Sequence, residues 1–263
     1  MKQEIYILTH KKLDYDIDLN GYTPIQVGAH FSDQKIYDTA DNDGEDNISY
    51  KNKYYLETTG IYWIWKNSDA DIKGQMQFRR FLAVNPNFVG KILENYDIIT
   101  ASPIRMNVNI EAQYENVHNL NDLLIVENII NVLYPDYSES YVKYIRNNPV
   151  IYYSNSFICK KETYSIICNF IFSILKMHEL ITKIHNDTIR HKYAEDIFNN
   201  NKYLHSNESN GHTEISKIEY QERISAYLFE RLFTLFIFHN MEKYGLKVYE
   251  CGNYIKMEEN MKL

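Results

Sequence analysis

The sequence has few cysteines and no excess of positive charge. Three cysteines in 263 residues are too few and too scattered for a disulfide framework or a zinc site, so we expect a reducing compartment. The 28 basic residues are outnumbered by 35 acidic ones, which gives a net charge of −7. Because non-specific binding to nucleic acid needs a basic face, nucleic acid is not an expected partner.

The sequence also lacks a long apolar run and a glycine-rich loop. The longest apolar stretch, residues 166–175, is shorter than the roughly 20 residues that span a bilayer. The amino-terminal residues show neither the apolar core nor the cleavage site of a signal peptide, so we expect a cytoplasmic location. With nine glycines, the chain has no Gly-rich phosphate loop, no Gly-x-Ser-x-Gly turn and no Cys–His signature.

The order of the apolar segments predicts an α/β fold. Segments rich in β-branched residues predict strands at 4–10, 23–31, 72–78, 96–102 and 150–159, the last interrupted by Ser154, Asn155 and Ser156. Helical spacing predicts one aromatic helix capped by Ser49 or Asn52, and further helices at 120–132, 161–185 and 219–243. Strands alternate with helices in the amino-terminal half of the chain, and helices dominate later. We therefore expect one α/β sandwich with a helical carboxyl-terminal part.

Residues 199–216 are polar and show no periodicity. Such a segment offers little apolar surface to bury, so we expect a mobile loop there. A loop of this kind can close over a bound substrate as a lid.

A polar cluster precedes the aromatic helix. At a helix start, free N–H groups and the helix dipole favour an anion. Capping alone accounts for Ser49 or Asn52, but it does not account for Lys51 beside Asp46 and Asn47. We therefore expect this cluster to contribute to an anion site.

Two further groups of polar residues follow predicted strands. Thr9, His10 and Lys11 end the first strand, and ligands of open α/β sheets bind beyond the carboxyl ends of strands. A solvated strand end explains these three residues equally well. Arg79 and Arg80 follow the strand at 72–78, and two guanidinium groups can neutralise a diphosphate without a metal. The alternative for the arginines is a pair of surface salt bridges.

Two Asp-x-Asp tripeptides match a pattern that holds a divalent metal between carboxylates and phosphates. They are Asp41 with Asp43, and Asp69 with Asp71. Neither follows an apolar strand, where a metal–diphosphate site would require it. We therefore expect solvated loop carboxylates at both positions and assign no metal ligand.

Two glutamates, Glu57 and Glu230, lie inside apolar helical patterns. A carboxylate in apolar surroundings has a raised pKa and can serve as a general base. The alternative for Glu230 is a buried ion pair with an arginine that only orders the helices.

These residues resemble a bacterial family found in capsule, O-antigen and exopolysaccharide gene clusters, long catalogued as a domain of unknown function. One branch is known as galactofuranosyltransferases that use UDP-galactofuranose. The match runs from about Ile5 to about Val248, and its most specific part is the run from Asn47-Ile48-Ser49-x-Lys51-Asn52 to Trp63-x-Trp65-Lys66-Asn67. Weaker matches include Thr9-His10-Lys11, Tyr96-Asp97-Ile98-Ile99, Gln113-Tyr114, Asn155, Arg223 and Glu230-Arg231-Leu232-Phe233.

The resemblance implies a GT-A-like, Rossmann-like glycosyltransferase that moves a hexose from a UDP-sugar to a growing surface polysaccharide, with inversion. Galactofuranose is one candidate sugar. Residues 1–105 would form the nucleotide-sugar-binding part, and residues 106–263 the acceptor-side and helical part. Glu230 is the expected base, and the expected substrate-binding residues are Thr9, His10, Lys11, Asp46, Asn47, Lys51, Asn52, Arg79, Arg80, Asn155 and Arg231.

Two departures from the family pattern bear on metal use and specificity. The family usually reads His-Tyr-Arg-Arg where this chain has Gln77-Phe78-Arg79-Arg80. Since Gln replaces His poorly as a metal ligand, we expect no required cofactor, and Mg²⁺ or Mn²⁺ dependence is doubtful. The family also reads Asn-Met-Phe where this chain has Asn155-Ser156-Phe157, which would alter acceptor specificity.

Two alternatives remain open at this point. The first is a non-catalytic subunit that binds nucleotide sugars or glycans in a polysaccharide assembly complex. The second is a metal-dependent phosphoryl or sugar-phosphate transferase, which would need one of the two Asp-x-Asp pairs. For the transferase, the expected partners are a UDP-sugar and a glycan or lipid-linked glycan acceptor. We also expect peripheral association with membrane-bound assembly enzymes at the inner face of the cytoplasmic membrane.

Overall fold

A nine-stranded, mostly parallel β-sheet runs through the residues that this computed structural model describes, which are 1–13, 21–200 and 214–255. The strands are β1 (Gln3–Thr9), β2 (Thr23–Gln26), β3 (Thr39–Ala40), β4 (Ile72–Gln77), β5 (Arg80–Leu82), β6 (Ile98–Ala101), β7 (Ile104–Arg105), β8 (Val150–Ile151), β9 (Phe157–Lys160), β10 (Val248–Cys251) and β11 (Asn253–Ile255). The α-helices are α1 (Asn52–Tyr55), α2 (Thr58–Asn67), α3 (Pro86–Ile92), α4 (Ile110–Val117), α5 (Leu120–Leu133), α6 (Ser138–Tyr141), α7 (Lys161–Thr182), α8 (Asp187–Asn200), α9 (Glu214–Gln221) and α10 (Ile224–Tyr244).

The strand order brings the carboxyl ends of β1 and β4 together. The main sheet runs β10–β6–β9–β4–β1–β2–β3, with β5 paired to β4 and β11, while β7 and β8 form a separate pair. β1 lies parallel to β2 and β4, and β9 lies antiparallel between β4 and β6. Leu8 of β1 pairs with Gln77 of β4. The predicted α/β sandwich with a helical carboxyl-terminal part is confirmed.

The alternation of side chains along β1 builds an apolar layer on each face of the sheet. Tyr6 and Leu8 belong to the larger buried cluster, together with residues of α2, α5, α7 and α10. Ile5 and Ile7 belong to the smaller cluster on the other face. A strand buried on both faces has a continuous apolar sequence, which is why β1 is easily predicted.

Helix α7 contains the apolar stretch 166–175 and is longer than that stretch suggests. It has 22 residues and contains an 18-residue window with a mean hydropathy of 1.3, which makes it the one described helix that is long and apolar enough to cross a membrane by length and composition. Half of its most apolar window is buried inside the protein. Ile171 and Leu175, for example, are inaccessible to solvent and belong to the larger cluster. Length alone therefore does not exclude α7 as a span, contrary to the sequence estimate, but α7 packs as a core helix.

The single aromatic helix predicted after Ser49 is broken in the structure. Helix α1 ends at Tyr55, Leu56 adopts a φ of 48° and a ψ of −134°, and α2 begins two residues later. Neither Ser49 nor Asn52 caps a helix through its side chain. Asn52 instead bridges the break, because its Nδ2 donates to the Leu56 carbonyl at 2.7 Å and to Thr59 Oγ1 at 3.0 Å.

The predicted interruption of the strand at 150–159 is confirmed. β8 ends at Ile151 and β9 begins at Phe157, and between them Ser154 and Asn155 have φ values of 90° and 49°. The segment 199–216, predicted as a mobile loop, lies for the most part outside the described residues. The sheet contains β9 and β10 from the later half of the chain, and the division at residue 105 stays a prediction.

Candidate functional site

A pocket of about 340 Å³ opens where β1 and β4 end. We call it the arginine pocket. Its apolar wall includes Leu8, Val27 and Leu56. Its polar lining consists of His10, Asn52, Glu57, Gln77, Arg79, Arg80 and Arg223. The pocket lies at the sheet edge where open α/β folds bind their ligands.

Three guanidinium groups line this pocket, and each lies against an aromatic ring. Arg80 is 5.5 Å from the Tyr153 ring centroid, and Arg223 is 4.9 Å from that of Tyr220. Arg79 is 4.9 Å from the neighbouring ring of Phe78. Stacking of a planar guanidinium on a ring fixes its orientation while its N–H edge can still bind a carboxylate or phosphate. The arrangement suits a ligand with several negative charges.

Glu57 faces the same pocket from the break between α1 and α2. Gln77 Nε2 donates to Glu57 Oε1 at 2.8 Å, and Asn155 Nδ2 reaches the same oxygen at 3.4 Å. Burial raises the pKa of the Glu57 carboxyl above its usual range, although these hydrogen bonds and the charge of Arg223 act in the opposite direction. Such a carboxylate can exchange a proton with a bound hydroxyl.

Glu230 is more deeply enclosed and is paired with its neighbour in α10. Its side chain accepts from Arg231 Nη1 at 3.0 Å through Oε2 and from the Ser154 backbone N–H at 3.2 Å through Oε1. Glu230 is 8% exposed and does not line the arginine pocket. Burial raises the pKa of Glu230, Arg231 lowers it, and the charge of Glu57 raises it further.

The turn at Ser154 and Asn155 connects the two glutamates. Asn155 contacts Glu57 through its amide, and Ser154 contacts Glu230 through its backbone N–H. Both residues are buried and both have positive φ, a strained conformation that folds keep mainly at functional sites. The Ser154 hydroxyl and the Asn155 Oδ1 are buried without a hydrogen-bond partner. Arg231 lies on the far side of Glu230 and also donates to Gln113 Oε1 at 2.7 Å.

The end of β1 places one of its three candidates in the pocket. His10 lines the pocket and meets the Phe78 ring edge-on at 5.2 Å. Thr9 is buried, and its hydroxyl donates to the Lys11 carbonyl at 2.7 Å, which shapes the turn. The Lys11 ammonium lies 5.6 Å from the Phe78 ring. His10, Asn52, Arg79 and Arg80 are thus the substrate-binding candidates that the arginine pocket brings together.

Three other candidates make contacts elsewhere. Lys51 forms a largely buried ion pair with Glu179 of α7, at 2.9 Å from the carboxylate. Asp46 accepts from the Tyr62 hydroxyl at 2.8 Å, and Asn47 donates to a backbone carbonyl of its own loop. None of the three lines the arginine pocket. Their assignment to a substrate stays a prediction.

The Asp-x-Asp carboxylates are engaged by protein groups. Asp41 is fully buried, contrary to the expectation of a solvated loop, and it accepts from the backbone N–H groups of Gly28 and Ala29 and from the hydroxyls of Ser49 and Thr59. The other three aspartates contact lysines or backbone N–H groups: Asp43, Asp69 and Asp71. Among residues 1–13, 21–200 and 214–255, no group of three His, Cys, Asp or Glu side chains is arranged to hold a metal ion.

Sequence reasoning did not place Glu57, Gln77 and Arg223 among the substrate-binding residues. Arg223 precedes α10 and lies far along the chain from Arg80, so no local pattern joins them. A signal for Glu57 did exist, since a carboxylate stood inside an aromatic helical pattern. The break at Leu56 that turns it to the pocket is not visible in the residue types.

Comparison with known proteins supports the fold and assigns the family. A search of curated proteins finds no match. A solved structure of the bifunctional glycosyltransferase WbbM in its apo form superposes with a TM-score of 0.74 and 23% identity, over 98% of this chain and 46% of the WbbM chain. This likeness shows a GT-A-like fold, and the chain spans about half the length of WbbM. A family model matches residues 4–198, and the chain therefore belongs to the family described as "Domain of unknown function (DUF4422)".

Proposed function

We propose that this chain is a glycosyltransferase that moves a sugar from a UDP-sugar to a hydroxyl of a surface-polysaccharide acceptor. One observation carries the proposal. Arg79, Arg80 and Arg223 converge with the carboxylate of Glu57 in one pocket, at the edge where α/β folds bind nucleotides. The likeness to WbbM, itself a bifunctional glycosyltransferase, supports the same reaction class.

The arginines suit the charge that develops on the leaving group. When the bond between the sugar and the diphosphate breaks, negative charge grows on the phosphate oxygens, and preorganised cations stabilise that charge most effectively. Guanidinium groups bind phosphate in bidentate fashion. Arg80 lies in β5 and Arg223 directly precedes α10, so a diphosphate bound between them would be held by two separate elements.

The other parts of the substrate are assigned by position. In the proposal, Thr9, His10 and Lys11 meet the uridine at the end of β1, with Asn52 beside them. Asn155 and the Glu230–Arg231 pair lie toward the acceptor. UDP-galactofuranose is the first donor to test, because one branch that the sequence resembles uses it. A lipid-linked glycan acceptor would bring the chain to membrane-bound assembly enzymes in the cytoplasm.

The test is release of UDP from UDP-galactofuranose, UDP-galactose and UDP-glucose, each with and without octyl β-galactoside as acceptor. We expect one donor to release UDP faster when the acceptor is present. Arg80→Gln should lower that release, whereas Arg105→Gln, at an exposed position away from the pocket, should not. UDP binding with no release from any donor would instead favour a non-catalytic subunit that binds nucleotide sugars.

A further inference from the structure

We infer that Glu57, and not Glu230, takes the proton from the acceptor hydroxyl, and that Gln77 and Asn155 are positioning residues that aim its carboxylate. This inference rests on the proposed function. It deepens that function by naming the group that activates the acceptor. It also gives Glu230 a different task, which is to hold the turn at residues 154–155.

Access to the pocket separates the two glutamates. Glu57 lines the arginine pocket together with Arg223. Glu230 is 8% exposed, and each of its oxygens already accepts a hydrogen bond, one from Arg231 and one from the Ser154 backbone. A base must reach the proton it removes, and Glu57 is the glutamate that meets this condition.

The side-chain hydrogen bonds to Glu57 all reach one of its oxygens and leave the other without a side-chain donor. Gln77 Nε2 and Asn155 Nδ2 both reach Oε1. No described side chain donates to Oε2. The positive φ of Leu56 ends α1 just before Glu57, so the carboxylate projects from a helix break and not from a continuous helical face. Two amide donors on one oxygen fix the carboxylate plane without supplying a proton that could neutralise it.

The strained turn explains how Asn155 can act as one of these donors. Gln75 Nε2 donates to the Asn155 carbonyl at 3.0 Å, and the Ser156 hydroxyl donates to the Ser154 carbonyl at 3.2 Å. Glu230 adds the third contact by accepting the Ser154 N–H. Together these contacts hold the Asn155 amide against Glu57. Glu230 therefore acts on the reaction through the turn, and Arg231 balances its charge.

The step that follows balances in atoms and electrons. The acceptor hydroxyl gives its proton to Glu57 Oε2 while its oxygen forms a bond to the anomeric carbon of the donor sugar. The bond from that carbon to the diphosphate breaks, and its electron pair leaves on UDP, between Arg80 and Arg223. The neutral carboxylic acid at residue 57 then releases its proton to water through the open pocket.

Glu57→Gln is the direct test, because glutamine keeps the shape and still accepts from Gln77 and Asn155 through its amide oxygen. With the donor that the wild type uses and octyl β-galactoside as acceptor, we expect kcat to fall by about 10²–10⁴-fold. UDP affinity should stay close to that of the wild type, and the melting temperature should not fall. Glu94→Gln, at an exposed position, is the matched control and should keep wild-type turnover.

The pH profile adds a readout that a structural role would not change. The kcat of the wild type should decrease at low pH as Glu57 becomes protonated. The residual kcat of Glu57→Gln should not show this decrease. The groups that face Glu57 are His10, Arg79, Arg80 and Arg223 in the pocket and Glu230 across the turn. Since Glu57→Gln keeps His10 and the three arginines, a difference between the two pH profiles belongs to Glu57.

Glu230→Gln completes the experiment. It leaves Arg231 without a charged partner, so we expect a lower melting temperature and a smaller loss of kcat in the folded fraction than in Glu57→Gln. Two outcomes would contradict the inference and leave the proposed function intact. One is wild-type turnover in Glu57→Gln, and the other is a decrease of kcat by about 10²–10⁴-fold in Glu230→Gln without loss of stability. A wild type that binds UDP and transfers no sugar overturns the proposed function and the inference with it.

Discussion

At the scale of single residues, the proposed reaction depends on Glu57, a carboxylate whose charged form is destabilised by burial. Burial raises the pKa of Glu57, which means that the folded protein disfavours its charged form. A carboxyl with a raised folded pKa lowers the free energy of unfolding at pH values above that pKa, and the loss is relieved as the pH falls. Functional groups often carry such a cost.

Glu57→Gln should therefore be at least as stable as the wild type at neutral pH. The difference in melting temperature should shrink as the pH falls toward 4.5, the ordinary value for this carboxyl, because the wild type then takes up the proton that glutamine does not need. Thermal unfolding of both proteins from pH 4.5 to 8 measures this. A variant that is less stable at neutral pH would show that the charge of Glu57 stabilises the fold.

Asp41 is the opposite case, a buried carboxylate whose oxygens accept four hydrogen bonds. In Asp41→Asn an amide replaces one oxygen, and donors on that side lose their acceptor. We expect a loss of about 1–3 kcal/mol in the free energy of unfolding. Asp33→Asn, at an exposed position, should change little. Urea unfolding of both variants gives the comparison, and equal stabilities would mean that Asp41 has no structural role.

At the scale of elements, the break between α1 and α2 is the feature that makes the pocket. Leu56 has backbone angles that glycine adopts easily and other residues adopt at a cost. Asn52 stabilises the break through the Leu56 carbonyl and Thr59, and it also contacts Gly28, where a Cβ would come within 2.6 Å of Asn52 Oδ1. The pocket wall thus depends on a strained residue held by one amide.

Leu56→Gly and Leu56→Ala separate the strain from the packing. Both variants remove the leucine side chain, but only glycine relieves the backbone. We expect Leu56→Gly to be more stable than Leu56→Ala by about 1 kcal/mol or more. Elsewhere in a helix the order is the reverse, since glycine costs up to about 1 kcal/mol relative to alanine. Alanine as the more stable substitution would show that the break is not strained.

The elements that could be predicted from the sequence are those with a clear local pattern. β1, β4 and β6 are apolar and β-branched, and α5, α7 and α10 carry long helical periodicity. The polar residues Ser154–Ser156 also predict the interruption between β8 and β9. The break at Leu56 was not, because leucine favours a continuous helix and contacts from Asn52 override that preference. The short strand β10 was missed as well, since its four residues gain their stability only by pairing with β6.

Local sequence patterns also predict part of the candidate site. Arg79, Arg80 and His10 follow strands, and strand ends are where ligands bind. The predicted helix start suggests an anion site at Lys51 and Asp46, but in the structure these residues contact Glu179 and Tyr62. Arg223 joins the pocket only through tertiary packing, which residue types and spacing do not encode.

At the scale of the whole molecule, the arginine pocket stands out against an acidic chain. With a net charge of −7, the protein as a whole repels anions, so a diphosphate gains its affinity from local contacts and not from the overall field. The chain also spans about half of WbbM.

The central claim is that the arginine pocket binds the diphosphate of a nucleotide sugar. Calorimetric titration with UDP, UMP and uridine tests it most directly, because it needs neither the donor sugar nor the acceptor. We predict that UDP binds more tightly than UMP and UMP more tightly than uridine. Arg80→Gln and Arg223→Gln should each weaken UDP binding by about 1–3 kcal/mol, while Arg105→Gln leaves it unchanged. Equal UDP affinity in the wild type and both pocket variants, or no UDP binding at all, would contradict the account.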